Sequence, residues 1–268
     1  MWMKKVFGTD KPVLGMLHLM ALPTDPKYDE KGGMKAVIDR ARKDLHALQD
    51  GGIDGIIFCN EFSIPYVENV RTVTVACMAR IIGELKSEIK VPFGVDVAMD
   101  PYKVFDLATA VEADFVRESF FGAYAGDYGI VSYPQGEIER HRVDVGCKDI
   151  YTLATLVPEG AKRVSERPIE DIVKSATFSI APGALLVYGN NAGSQVDTAN
   201  IIRAKSATDT PVFASNGVKA ETVVDILSIS DGCVVGTWFK FDGKFYNAVD
   251  VSRVKKLMDI VREYRKDL

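Results

Sequence analysis

Strand-like and helix-like patterns alternate along this chain almost from end to end, and that alternation narrows its folds to a few. Short apolar runs lie at Val13–Leu19, Gly55–Cys59, Phe93–Val97, Phe115–Glu118, Ile150–Val157, Ala184–Tyr188, Val212–Ser215 and Cys233–Val235. Between them, apolar residues recur at three- and four-residue steps. Met34, Val37, Ile38, Ala41, Leu45 and Leu48 form one such stripe, with Lys35, Asp39, Arg42 and Lys43 on the opposite face. Val70, Val73, Cys77, Ile81 and Leu85 form a second, and Val251, Val254, Leu257, Met258 and Val261 a third. Pro101, Pro168 and the Ser215-Asn216 pair stand where helix starts are expected. Eight strands with seven or eight helices predict a single (β/α)8 TIM barrel over residues 1–268. A doubly wound open sheet is the runner-up and would need a topological switch point.

A weaker repeat supports the barrel. Gly52-Ile53-Asp54-Gly55, Glu112-Ala113-Asp114-Phe115, Pro182-Gly183-Ala184 and Ser230-Asp231-Gly232 each join a helix end to a strand. They read as tight turns in which Gly or Asp takes the awkward backbone angles. The longer stretches Met20–Gly33, Glu61–Asn69 and Ser119–Pro134 are the candidate active-site loops.

Composition sets the surroundings. The 268 residues are 47% hydrophobic with a formal net charge of −4. There is no basic run, which argues against non-specific nucleic-acid binding. No stretch approaches the ~20 apolar residues of a membrane helix, and Met1-Trp2-Met3-Lys4-Lys5 precedes no apolar core of signal-peptide length. Cys59, Cys77, Cys147 and Cys233 are widely spaced, without a CxxC pair, and read as buried thiols. A cytoplasmic protein is expected, with a homo-oligomer left open.

In a barrel, catalytic groups lie at strand C-termini. That rule selects His18 on the first strand, Glu61 after the second, Asp96 on the third, and Arg117 and Glu118 on the fourth. Glu159, Lys162 and Arg163 follow the fifth. Asp96 and Arg117 each sit among apolar neighbours, where an isolated charge is costly. Either they form an ion pair sealing the mouth, or Arg117 clamps an anionic substrate while Asp96 or Glu118 moves a proton; both can hold. His18 reads equally as a structural imidazole or as one paired with Glu61 or Asp96. His18, Glu61, Asp96 and Glu118 could hold a divalent metal, though no spacing such as HExxH supports it.

Three strand ends are rich in glycine: Tyr188-Gly189-Asn190-Asn191-Ala192-Gly193, Phe213-Ala214-Ser215-Asn216-Gly217-Val218, and Asp231-Gly232-Cys233-Val234-Val235-Gly236-Thr237. A helical pattern follows the last two. Tight strand–helix packing would account for any one of them. Together Gly189, Gly193, Asn216, Gly217, Gly236 and Thr237 read as a phosphate cradle, which barrels often build after strands seven and eight. The expected partner is therefore a small phosphorylated ligand.

Longer strings carry a resemblance. Pro12-Val13-Leu14-Gly15-Met16-Leu17-His18-Leu19 with Leu22-Pro23, Gly55–Asn60, and Gly122-Ala123-Tyr124 with Arg140 all contribute. So does Asp231–Lys240, continuing through Asp242-Gly243-Lys244 to Asn247, Val249 and Asp250. The chain resembles the BtpA/SgcQ family, whose members look like barrels related to the ribulose-phosphate-binding group. One branch is named for photosystem I biogenesis; another is encoded with sugar-uptake components. The chain departs from the family pattern at Thr24, Cys59, Asp96 and Ala192, where Gly, an acidic residue, Asn and Thr are common. The resemblance and the strand ends together imply an isomerase, lyase or aldol-type enzyme acting on a sugar or nucleoside-derived phosphate. Proton exchange would fall to Asp96 and Glu118, oxyanion support to Arg117, and orientation to His18 or Glu61. The alternative is a non-catalytic assembly factor with a regulatory pocket.

Overall fold

A computed structural model describes residues 2–189 and 196–268. In chain order its first half holds α1 (Trp2–Phe7), β1 (Val13–His18), α2 (Gly33–Asp50), β2 (Gly55–Cys59), α3 (Thr72–Leu85), β3 (Phe93–Asp96), α4 (Pro101–Val111) and β4 (Phe115–Glu118). Then come β5 (Gly122–Gly126), β6 (Gly129–Tyr133), α5 (Gln135–Asp144), β7 (Tyr151–Thr155), β8 (Ala161–Arg163) and α6 (Ile169–Ile180). The remainder is β9 (Ala184–Val187), α7 (Thr198–Ser206), β10 (Val212–Ala214), α8 (Val223–Ile229), β11 (Gly232–Val235) and α9 (Val251–Arg265). Eight strands close a parallel barrel in the order β1-β2-β3-β4-β7-β9-β10-β11. Closure comes from Val13 of β1 pairing with Cys233 of β11. The open sheet is thereby excluded.

Alternation along each strand separates two cores. Leu14, Met16, Ile57, Phe115, Leu153, Leu186, Phe213 and Val234 fill the barrel interior. Val13, Leu17, Ile56, Phe58 and Val95 face the helices and meet stripes such as Val37, Ile38, Ala41 and Leu45. The helix α1 gives no signal in the sequence, because six residues are too few to show a period. It plugs the barrel's N-terminal end. Met3 and Phe7 join the interior core, Phe7 meets Phe115 edge-on, and Trp2 stacks on Tyr151 with ring centroids 4.4 Å apart.

The turn repeat is present, with a different division of labour. Asp54, Asp114 and Asp231 each precede a strand, and each carboxylate accepts from the first N–H of the strand before it. The partners are Val13 N at 2.7 Å, Phe93 N at 2.9 Å and Val212 N at 2.9 Å. An otherwise unpaired strand-end donor is thus satisfied. Gly52 takes a left-handed backbone angle as expected, while in the second turn that angle falls on Glu112 rather than on a Gly or Asp.

Two expectations are corrected. Ser119–Pro134 is not an open loop: it carries the β5–β6 hairpin, and β8 from after β7 adds to it as a three-stranded antiparallel sheet. This sheet roofs the C-terminal mouth. Nor do helices start directly after the last two strands. The chain runs as a loop from Asn216 to α8, and as 3-10 turns at Thr237–Phe239 and Phe241–Gly243 well before α9.

Candidate functional site

The mouth of the barrel holds one cleft with two lobes. Glu61, Arg117, Glu159, Thr237 and Phe245 face both of them. One lobe, of about 350 Å³, lies beneath the antiparallel roof and is walled by Tyr66, Tyr124, Tyr128, Tyr133 and Val131. The other, of about 400 Å³, lies over the ends of β10 and β11. Each falls within the usual range for small-ligand sites.

Asp96 and Arg117 form the floor. They end adjacent strands, and Arg117 Nη1 donates to Asp96 Oδ2 while Nη2 donates to the Tyr188 hydroxyl. Asp96 is 2% exposed, and its Oδ1 has no partner among the described residues. Burial pushes the Asp96 carboxyl up to about 6, opposed by the Arg117 charge and reinforced by that of Glu61. At neutral pH it is therefore a carboxylate poised to take a proton. The ionic partners around it hold the Arg117 guanidinium protonated despite its burial.

Glu118 is the next residue on β4 and lies beside the aromatic lobe. Its Oε1 accepts from Met99 N at 2.5 Å and its Oε2 from Ser119 N at 2.9 Å. Burial, then the Asp96 charge, raise its carboxyl well above the usual range. Glu118 thus ties the β3 and β4 loops together while favouring its protonated form.

Glu61 sits between the lobes. Its Oε2 accepts from the Cys59 thiol at 3.3 Å and lies 3.9 Å from His18 Nε2. His18 faces the second lobe only. Burial, then the charges of Lys240 and Arg117, depress the imidazole well below its ordinary value, so it is neutral at pH 7. His18, Glu61, Asp96 and Glu118 do not converge as a ligand set: no group of three or more metal-binding side chains occurs among the described residues.

The second lobe gathers the glycine strings. Asn216, Gly217, Gly236 and Thr237 all line it. Gly217 has φ +65°, in the left-handed region that favours glycine. Gly236 approaches His18 so closely that a Cβ there would lie 3.0 Å from the ring. Gly189 is one step removed: its N–H donates to Asn216 Oδ1 at 2.7 Å, while Asn216 Nδ2 donates to Glu159 at 2.8 Å. Gly193 lies outside the described residues.

Sequence reasoning missed two cations in this lobe, Lys219 and Arg253. Arg253 is held by the Trp238 carbonyl at 2.6 Å and lies over the Trp238 ring. Lys219 sits two residues past Gly217, a local signal that could have been read. Arg253, in the first turn of α9, gave none. Tyr188 and Glu159 were visible only as strand-end residues. Lys162 and Arg163 belong to β8 in the roof, where Arg163 donates to the Tyr124 hydroxyl. No described helix is long and apolar enough to cross a membrane.

Comparison with known proteins now settles the family. A sequence profile of the BtpA family matches residues 9–263. The chain belongs to the BtpA family. It is 49% identical to the sgc region protein SgcQ of Escherichia coli (strain K12), covering 99% of each chain. It is 27% identical to the photosystem I biogenesis protein BtpA of Synechocystis, covering 97% of this chain and 91% of that one. Among solved structures it resembles thiamine phosphate pyrophosphorylase from Pyrococcus furiosus, with a TM-score of 0.56 at 16% identity over 95% and 96% of the two chains. Phosphoribosyl anthranilate isomerase from Thermus thermophilus gives 0.57 at 11% identity over 94% and 98%. These likenesses establish the barrel.

Proposed function

We propose that the cleft is the active site of an enzyme that moves protons on a small phosphorylated metabolite, as an isomerase, lyase or aldol-type catalyst. One observation carries this reading. A buried carboxylate poised near pH 6 sits beside a guanidinium, in a cleft whose other end gathers Gly217, Gly236, Lys219 and Arg253. Phosphate would lie in that second lobe, against Asn216, Gly217, Gly236 and Thr237, with Lys219 and Arg253 balancing its charge. Asp96 Oδ1 would take a proton from carbon next to a carbonyl. The electron pair would move onto the carbonyl oxygen, and Arg117 would hold the resulting oxyanion. Glu118, whose carboxyl is raised well above the usual range by burial and the Asp96 charge, would return a proton, while Glu61 and neutral His18 orient the substrate.

The second reading, a non-catalytic assembly factor with a regulatory pocket, draws support from the name of the Synechocystis relative. Complementation of a deletion strain separates the two. Asp96→Asn and Glu118→Gln, at equal protein level, abolish function under the enzymatic reading. Normal complementation by both favours the assembly factor. A screen of phosphorylated metabolites by thermal stabilisation supplies the substrate; a ligand at a hundred times its Kd adds ~2.7 kcal/mol to stability. Lys219→Glu and Gly217→Val should each remove that shift.

A further inference from the structure

The phosphate lobe accounts for half of the cleft. The other half has walls of a different chemistry, and those walls constrain the rest of the substrate. Tyr66, Tyr124, Tyr128, Tyr133 and Phe245 converge there with Val131. Three tyrosines facing the cleft have already committed their hydroxyls inside the protein. Tyr124 OH donates to the carbonyls of Phe121 and Leu156, each at 3.0 Å, and Tyr66 OH donates to the Glu61 carbonyl at 2.9 Å. Tyr188 OH receives from Arg117. What these residues offer a ligand is ring surface. Along these aromatic walls a polyhydroxylated chain would lose hydration without gaining bonds, leaving only the polar floor to receive its hydroxyls.

Two further features fit a flat occupant. Tyr66, from the loop after β2, and Tyr128, from the tip of the β5–β6 hairpin, approach to 5.4 Å between ring centroids and form an aromatic rim. At the floor, Asp96 lines the lobe, and its buried Oδ1 has no hydrogen-bond partner among the described residues. The lobe's other polar side chains are the carboxylates Glu61, Glu118 and Glu159, the Arg117 guanidinium and the hydroxyls of Ser119, Thr155 and Thr237. A ring carrying N–H groups answers both the apolar walls and the acidic floor.

Resting on the phosphate reading, we propose that the substrate is a phosphate ester bearing a planar heterocycle with an N–H donor. Its phosphate lies in the glycine lobe and its ring against the tyrosines of the aromatic lobe. The class is that of a nucleotide-like monophosphate rather than an open-chain or simple sugar phosphate. Stacking on aromatic faces contributes ring affinity with little dependence on the ring's substituents.

The test is calorimetric titration of the intact protein with uridine and adenosine 5′-monophosphates, ribose 5-phosphate, and the corresponding nucleosides. At least one nucleotide should bind tenfold or more tightly than ribose 5-phosphate. Tyr128→Ala, at a half-exposed hairpin tip, should reduce that nucleotide to the affinity of ribose 5-phosphate. Equal binding of nucleotides and ribose 5-phosphate, lost in Lys219→Glu, would overturn the ring proposal and leave the phosphate reading standing. Nucleosides binding as tightly as nucleotides, without effect from Lys219→Glu, would keep the ring lobe and overturn the phosphate reading. Binding by none of the probes would overturn both. The wild-type comparison needs no variant, so misfolding of Tyr128→Ala would not rescue the idea.

Discussion

Arg117 reaches across from β4 to donate to the Asp96 carboxylate on β3, and the same guanidinium holds the Tyr188 hydroxyl with its other arm. One cation therefore organises three strand ends. It leaves Asp96 with one oxygen bonded to the guanidinium and one buried oxygen without a hydrogen-bond partner among the described residues. Burial outweighs the guanidinium in setting the Asp96 carboxyl near 6. The pair is thus both a seal and a candidate proton acceptor.

The first prediction follows from that balance. A reaction needing ionised Asp96 loses rate as pH falls through about 6, once a substrate is in hand. Asp96→Asn should lower kcat by about 10²–10⁴-fold, because the amide still accepts from Arg117 but takes no proton. Steady-state kinetics between pH 5 and 8 check both points. A flat acidic limb in the wild type would remove Asp96 from the base role.

His18 gives a stability signature. Its folded-state value lies well below the ordinary 6.5, so the unfolded chain binds the proton more readily. Its contribution is present above 6.5 and is lost as pH falls toward the folded-state value. His18→Gln should therefore lose less Tm than the wild type between pH 7 and pH 5. Thermal melts at the two pH values test this, and parallel losses would contradict it.

Lys240 is fully buried, with its ammonium 3.9 Å from Asp44 and no hydrogen-bond partner among the described residues. Burial lowers it to about 8, against the Asp44 attraction. Asp44 does not depend on it, since Arg40 at 2.9 Å and Val249 N at 2.8 Å already satisfy the carboxylate. Lys240→Met should be neutral or stabilising by about 1 kcal/mol at pH 7, as when a poorly bonded buried charge is replaced by apolar packing. Between pH 8 and 10.5 the folded protein binds fewer protons at this site than the unfolded chain does, so the wild type gains stability there. The advantage of the variant should shrink accordingly by pH 9.5. Denaturant midpoints at the two pH values measure it, and a large loss at pH 7 would assign Lys240 a needed ion pair.

All eight barrel strands were legible in the sequence within one or two residues, because each is an apolar run bounded by turn residues and the alternation itself demands closure or a switch point. The rule that strand ends carry chemistry also selected Asp96, Arg117, Glu61 and the Gly217 and Gly236 strings, since strand register puts them at one mouth. Tertiary structure decided the rest. The roof could not be read, because Gly122–Gly126 and Gly129–Tyr133 are short, glycine-bounded and only half apolar, and they become a sheet by pairing with Ala161–Arg163 from another loop. Arg253 enters the second lobe only because α9 packs against the Thr237–Phe239 turn, from some sixteen residues beyond Thr237. The state of each carboxyl was likewise out of reach: desolvation depends on everything that surrounds a group in space, and a linear pattern of residues records only what precedes and follows it.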